Sequence, residues 1–518
     1  TIEGIGSSME ESTVYNLMRM NTTVREQALR EMFTQTGWGL DKGIGMSLAR
    51  ICLGSSDFTS RQFYTYENFS IQNDINYSII SILQQAKGYN TNLRFFGSPW
   101  SPPGYMKTSG KVVGGSLSGG QEGPLAAYLR QAVVAYGNQG LKLYALTMQN
   151  EPLYFPPAYP GSGMVASQQL TVAKDLRTEL NNNGQNDVKI FAFDHNFADV
   201  YGYLPTIMND SGGYAAVDGT AFHDYSGAPS AMTDMHNSYP AKGVQVTERT
   251  VWGVAGADRI VQYFRNWAKS YNAWVTMLDS NNQPTQWSGV PDPTMMIMSA
   301  SSPNTYWRTP EFYILGQFSK FVQPGATRIS SDAGSSTSVT DVVFKNPDGK
   351  IVAVVVNQTA SAQTFKFLSQ GQQITATLPA KTVGTYRWQS DPTTSTIGLN
   401  TTFQAESGFQ SGGVIQSGTS VGYFDGGDYM AFSNVNLTGA TGLNMQIASG
   451  NSGGVVEVHA DSVGGTLLGS YTVASTGGWT TWASRNVPFT TTLTGNHALF
   501  IRGSGGSGVA NFDYFSTH

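Results

Sequence analysis

"LYALTMQNEPLYFPPAYP", Leu143 to Pro160, is the stretch on which the fold turns. Leu143 to Met148 is almost wholly apolar, the make-up of a strand buried on both faces. An amide, a carboxylate and a proline-rich loop then follow without transition. A strand that stops this abruptly has reached either solvent or a place where chemistry happens.

Seven further short runs share its form: "IEGIGSS", "SLARICLG", "LRFFGSPW", "KIFAFDHN", "GTAFHDY", "VQVTERT" and "AWVTMLD". Between them lie stretches such as "TTVREQALREMFTQ", "INYSIISILQQAKG", "LAAYLRQAVVAYGNQG", "SQQLTVAKDLRTELNNNG" and "ADRIVQYFRNWAKS", with apolar residues at steps of three and four. Strands alternating with helices imply parallel pairing, and eight such units predict an α/β fold, a closed (β/α)8 barrel over residues 1–322. Nearly every run ends in polar residues, at the face where such barrels carry their active sites.

After the helical "TPEFYILGQFSKFV" the period changes. "TDVVFKNPDGKIVAVVVNQ", "TFKFL", "QITATLP" and "TVGTYRW" alternate apolar with polar residues, and "NPDGK" signals a hairpin, so residues 323–389 read as a small side β-domain. "SDPTTSTIG", residues 390–398, reads as a linker. Residues 399–518, with short strands and many glycine turns, read as a β-sandwich suited to sugar binding.

At 518 residues, two or three domains are expected. Only 13% of residues are charged and the net charge is −5, while Tyr, Phe and Trp number 25, 26 and 10. That balance suits neutral ligands and offers no basic stripe for nucleic acid. The single cysteine, Cys52, reads as a small core hydrophobe, and no Cys/His cluster has zinc spacing. No apolar run is long enough for a membrane span. Low lysine with abundant Gly, Ser and Thr points to a secreted, extracellular protein, and a secretion signal, if one existed, is expected to have been removed already.

Cleaving a glycosidic bond takes two carboxyl groups flanking it, one to give a proton and one to act as nucleophile or base. On a barrel both belong at strand ends facing a common mouth. Glu151 closes the fourth run and Glu248 the seventh; Asp57, Asp194, Asp224 and Asp279 lie near other ends, so position alone does not single out a pair. Each of these acids also reads as a solvated loop residue or helix cap. Flanking residues favour the glutamates: Asn150 offers an amide for a sugar hydroxyl, Pro152 fixes the backbone behind Glu151, and "VQVT" leads into Glu248.

"NEP" after the fourth run, "VTE" after the seventh, "GSPWSPPGYMKTSG" after the third and "LGQFSKFVQPGATRI" beyond the barrel occur in an order that resembles glycoside hydrolase family 30, whose members include glucosylceramidases, endo-β-1,6-glucanases and xylanases. The resemblance covers Ile2 to Trp388. It implies a retaining, two-step mechanism with Glu151 as general acid then base and Glu248 as nucleophile, with Arg50 pairing with Glu248 and keeping it ionised, and with no cofactor for catalysis. It also implies a glycone pocket lined by Asp57, Trp100, Asn150, His223, Tyr225 and Trp274. Core packing is the alternative reading of Trp100, Trp274 and His223. Trp252 and Trp287 are weaker candidates in loops near the mouth, and Tyr154 and Tyr159 are candidates for stacking on sugar.

In the last unit, "FQAESG", "VGYFDGGDY", "STGGWTTW" and "ANFDYF" resemble a family 6 carbohydrate-binding module. This implies that Tyr423 and Trp479 sandwich a sugar ring, that Asn511 bonds it, and that Gln404, Glu406 and Asp513 hold a structural calcium, an ion suited to oxygen ligands. Trp482 is expected in the core. An appended module favours a polymer, because tethering raises the local concentration of cleavable bonds. The expected activity is endo-β-1,6-glucan hydrolysis, with β-glucan or a related polysaccharide as partner. A β-glucosidase, glucosylceramidase or xylan-acting enzyme is the alternative, and a catalytically inactive glycan-binding protein is the reading from another class.

Overall fold

The computed structural model describes residues 1–35, 43–369, 372–389, 396–411 and 414–518. Eight parallel strands pair in chain order and close on themselves: β1 (Gly4–Ser7), β2 (Leu48–Cys52), β3 (Arg94–Ser98), β4 (Leu143–Thr147), β5 (Lys189–Asn196), β6 (Gly219–His223), β7 (Gly243–Glu248) and β8 (Ala268–Ala273). The expected barrel is present. β1 approaches β2 so closely that a Cβ on Gly6 would sit 1.8 Å from the Leu48 carbonyl oxygen, so only glycine fits there.

Side chains alternate across a strand, and this rule builds the interior in layers. Leu48, Phe96, Ala145, Phe191 and Ala221 form an apolar plug inside the barrel. Two residues further along four of these strands, on the same inward face, come Arg50, Ser98, Thr147 and His223, all buried. β5 breaks the count: its register shifts between Phe193 and His195, and Phe193 and Asp194 take φ of 78° and 61°. The bulge re-aims Asp194 into the polar layer three residues after Phe191.

Helices cover the outside, with apolar faces against the strands and capped ends. Asn21 accepts from the Val24 N–H at the start of Thr22–Phe33, and Thr309 from the Phe312 N–H at the start of Pro310–Ser319. "INYSIISILQQAKG" is not one helix: Gln72–Asn76 and Ile79–Tyr89 are separated at Ser78, whose φ is 66°.

One strand lies elsewhere than expected. The eighth barrel strand is "AKSYNA", not "AWVTMLD", whose Met277–Asp279 pairs instead with Met296–Met298 in a separate three-stranded sheet above the barrel wall. Ser270 and Asn272 point inward and are buried, so this strand lacks the apolar run that marks the others. Ser270 donates to Gln245 Oε1, and Asn272 donates to Ser8 Oγ at 2.7 Å and to the Ala273 carbonyl. Polar bonding replaces apolar packing there.

Beyond the barrel, Thr327–Ile329, Thr340–Lys345, Lys350–Asn357 and Thr382–Gln389 form an antiparallel sheet, and Gln363–Ser369 pairs with Gln372–Leu378 in a separate hairpin. The "NPDGK" turn places Gly349 at φ 84°. Residues 390–395 of the linker lie outside the described residues. The last unit is a sandwich of antiparallel strands, and one of its sheets continues that of the side domain: Arg387 on Thr382–Gln389 pairs with Gln410 on Phe409–Gln410, making nine strands in one sheet. Among the described residues no helix is long and apolar enough to cross a membrane.

Candidate active site

The polar layer opens into a cleft of about 410 Å³ at the C-terminal mouth of the barrel. Glu151 stands just beyond β4 and Glu248 ends β7; one carboxylate oxygen of each lies within 4.8 Å of the other's. Glu151 takes φ 46°, a left-handed conformation that costs a non-glycine residue about 1–3 kcal/mol and marks a position the surroundings impose. Its N–H donates to the Asp194 carbonyl at 3.0 Å.

Arg50 lies beneath, fully buried. It donates to Glu248 Oε2, to Asp194 Oδ2 (2.8 Å), to Asn150 Oδ1 (2.9 Å) and to Ser98 Oγ (3.0 Å), and its guanidinium sits 4.7 Å from the Trp100 ring. Because Asn150 spends its carbonyl on Arg50, its amide N–H groups remain for a ligand. Tyr225 donates its hydroxyl to Glu248 Oε1 at 2.8 Å. Glu248 is thus held on both oxygens.

His223 is buried between Glu151 Oε1 and Asp194 Oδ1, 3.1 Å from each. Burial disfavours its charge, but Glu248, Asp194 and Glu151 outweigh that and push it up to about 10, so it is an imidazolium. Asp194 is the counter-charge. Burial alone would raise it, yet Arg50, His223 and the hydroxyls of Thr147 and Thr247 hold its carboxyl well below the usual range. For Glu151 too, burial acts upward and the hydrogen bond and charge of His223 act downward more strongly. His223 thus places a positively charged ring 3.1 Å from the carboxylate that faces the cleft.

Of the residues singled out in the sequence, Asp57, Trp100, Asn150, Glu151, Tyr225, Glu248 and Trp274 line the cleft together, and Tyr154, Tyr159 and Trp287 join them. Arg50 and His223 lie behind it. Trp100 and Trp274 satisfy both readings: their rings stack 4.9 Å apart and are 3% and 6% exposed, within a cluster that includes Cys52, yet both line the cleft. Asp57 is buried with Oδ1 unpartnered; burial first, then Glu248, raise its carboxyl well above the usual range. Trp252 lies outside the lining, against Arg249. Asp224 and Asp279 are structural: Asp224 forms a two-toothed pair with Arg259, and Asp279 pairs with Arg19 and caps its own turn. Sequence reasoning passed over Arg249 and His195, which sit at the polar ends of two of the quoted runs beside Glu248 and Asp194, and Asp292, which lies outside every run.

In the last unit Tyr423 and Trp479 are 46% and 40% exposed. Asn511 donates to the Trp479 carbonyl at 2.7 Å and its Oδ1 sits where a side chain on Gly422 would begin, so the three gather at one end of the sandwich. Trp482 is corrected: it is 36% exposed, because Gly478–Pro488 is an edge strand whose register slips where it leaves Gly442–Ser449. Glu406 Oε2 is buried without a partner; burial, then the Asp513 carboxylate, raise Glu406, while Lys350 of the side domain opposes them. Gln404 pairs in the strand ladder with Tyr514, next to Asp513. Two carboxyl groups of like charge, one with an unpartnered buried oxygen, fit a hard cation.

Residues 2–322 match the glycosyl hydrolase family 30 TIM-barrel domain. The chain belongs to glycosyl hydrolase family 30. Residues 325–386 of this glycoside hydrolase match the family's beta sandwich domain, and 385–517 match a family 6 carbohydrate-binding module. An endo-1,6-beta-D-glucanase of Neurospora crassa is 28% identical over 69% of this chain and 79% of that protein. A putative glucosylceramidase 2 of Caenorhabditis elegans is also 28% identical, over 70% of this chain and 75% of its own. The solved endo-beta1,6-glucanase BT3312 superposes with a TM-score of 0.70 at 26% identity, covering 75% of this chain and 92% of that one. The family 30 chain thus carries a glycoside hydrolase barrel and a carbohydrate-binding module on one polypeptide.

Proposed function

We propose that this glycoside hydrolase is a secreted, retaining endo-β-1,6-glucanase in which Glu151 is the acid/base and Glu248 the nucleophile. The observation that carries the mechanism is the approach of the two carboxylates to within 4.8 Å. An inverting pair needs roughly 6.5–9.5 Å to seat a water, whereas a retaining pair stands about 5–5.5 Å apart. The linkage is supported by the two endo-1,6-glucanase relatives, and a polymeric substrate by the attached module.

In the first step Glu248 attacks the anomeric carbon, the glycosidic C–O bond breaks, and the proton of the Glu151–His223 pair passes through Glu151 to the leaving oxygen. In the second, Glu151 takes a proton from water, the hydroxide attacks the anomeric carbon, and the bond to Glu248 breaks with its electron pair returning to the carboxylate. Arg50 and Tyr225 hold Glu248 in line throughout. Asp57 and the Asn150 amide receive hydroxyls of the sugar, and Trp274 packs on its apolar face. Gln404, Glu406 and Asp513 hold a calcium that is structural.

Turnover of β-1,6-glucan by wild type, Glu151→Ala and Glu248→Ala decides the assignment. Loss of about 10⁴-fold or more in the Glu248 variant is expected; equal turnover in all three would overturn it. Release of a series of short oligosaccharides supports endo cleavage of glucan. The Caenorhabditis relative favours a second reading, and cleavage of glucosylceramide alone would select it.

A further inference from the structure

We infer that Arg249 and Asp292 are a positioning pair that holds the nucleophile through Tyr225, an inference resting on the assignment of Glu248 above. Arg249 directly follows Glu248 where the chain leaves β7. Its guanidinium lies 4.5 Å from the centroid of the Tyr225 ring and 5.4 Å from that of Trp252, so it contacts both aromatic rings. Its Nε is 3.3 Å from the Asp292 carboxylate, and its carbonyl accepts the Tyr271 hydroxyl at 2.9 Å. Asp292 arrives from the segment between Asp279 and Met296, which also brings Trp287 and Pro291 to the cleft wall.

The two oxygens of Glu248 are held by unlike means. Oε2 faces Arg50, which is buried and tied to three further acceptors, so it cannot move without breaking them all. Oε1 accepts its hydrogen bond from Tyr225, a residue 41% exposed at the edge of the cleft, with His223 Nδ1 farther off at 3.6 Å. A phenol open on one side swings about its Cα–Cβ bond unless something grips its face, and a guanidinium on the ring supplies that grip. Arg249 in turn has a long, flexible stem, and the Asp292 carboxylate removes its freedom. The order of support runs from Asp292 to Arg249, to the Tyr225 ring, to Glu248 Oε1. Arg249 touches neither Glu248 oxygen, so it acts through Tyr225.

The same pair fastens the cleft wall. The loop is pinned at its start, where the Gln286 N–H donates to the Asp57 carbonyl at 2.7 Å, and at its end by Arg249. The wall that carries Trp287 is thereby coupled to the group that aims the nucleophile.

The test is a double-mutant cycle on the full chain, with whatever β-glucoside the wild type turns over. Arg249→Met and Tyr225→Phe should each lower kcat by roughly 10-fold or more, since small misplacements of a reacting group carry large penalties. In the Tyr225→Phe background, Arg249→Met should add little, because there is no hydroxyl left to aim. Asp292→Asn should give a smaller loss of the same kind and Arg249→Lys a partial recovery. If Arg249→Met fails to fold, Asp292→Asn, which keeps shape and volume, supplies the same cycle. Losses that multiply across the cycle, or a change in KM with kcat untouched, would overturn the inference. Failure of the underlying assignment reads differently: trapping wild type with an activated 2-deoxy-2-fluoroglucoside and mapping the label to a residue other than Glu248 removes the nucleophile itself, whatever the cycle gives.

Discussion

Asp57 and Asp194 are both buried carboxylates at the mouth of the barrel, and their partners separate binding from framework. Asp194 accepts from Arg50, Ser98, Thr147, His223 and Thr247, so it is the counter-charge on which the polar layer is built. Asp57 leaves Oδ1 without any partner on the protein and is held in a strongly desolvated position. A group in that state destabilises the fold until a ligand satisfies it. Asp57→Ala should therefore lower kcat/KM by about 10–100-fold, the range expected when a buried hydrogen-bonding partner is lost, and leave thermal stability unchanged or raised. Steady-state kinetics beside a thermal melt reads both; a marked fall in melting temperature would make Asp57 a framework residue like Asp194. Sequence could place both at strand ends but could not rank them, because rank lies in what each touches.

At the scale of elements, β5 and β8 are where a period-two reading fails, each for its own reason. In β5 the bulge at Phe193 and Asp194 shifts the inward face by one residue, so counting along "KIFAFDHN" sends Asp194 to the wrong side. In β8 the inward residues are Ser270 and Asn272, and the apolar "AWVTMLD" that follows draws the eye past the true strand. Asn272 is the keystone of that strand, donating to Ser8 and to the Ala273 carbonyl where β8 closes on β1. Asn272→Ala should cost about 1–3 kcal/mol of stability by stranding buried partners. Denaturant midpoints measure it, and a loss near zero would mean that apolar packing around β8 is sufficient.

At the scale of the whole molecule, the sandwich is joined to the side domain by more than a linker. Arg387 pairs with Gln410 in the shared sheet, Lys350 donates to Gln416 at 2.7 Å, and Arg387 donates to Gln410 Oε1 at 3.3 Å. The end of the module that gathers Tyr423, Trp479 and Asn511 is thereby carried on the same framework as the catalytic barrel. Binding through the module then raises the local concentration of cleavable bonds without touching the chemistry. Trp479→Ala should weaken retention on insoluble glucan, measured by pull-down, and leave turnover of soluble oligosaccharides nearly unchanged. Loss of both together would point to a misfolded module.

By itself the sequence determined the barrel, the order of its three units and the glutamates at the ends of the fourth and seventh strands, because hydrophobic period and strand-end polarity are local properties of the chain. Arg50, Asn150, His223 and Tyr225 were legible only through motifs, since nothing in their own neighbourhoods states a role. Tertiary structure alone decided that Asp194 balances Arg50 and His223, that Arg249 meets Asp292, that Trp482 faces solvent and that one sheet runs through two domains. Each of these depends on residues far apart in the chain meeting at a set distance, and Coulomb attraction and hydrogen bonding act on distance, which no periodicity encodes.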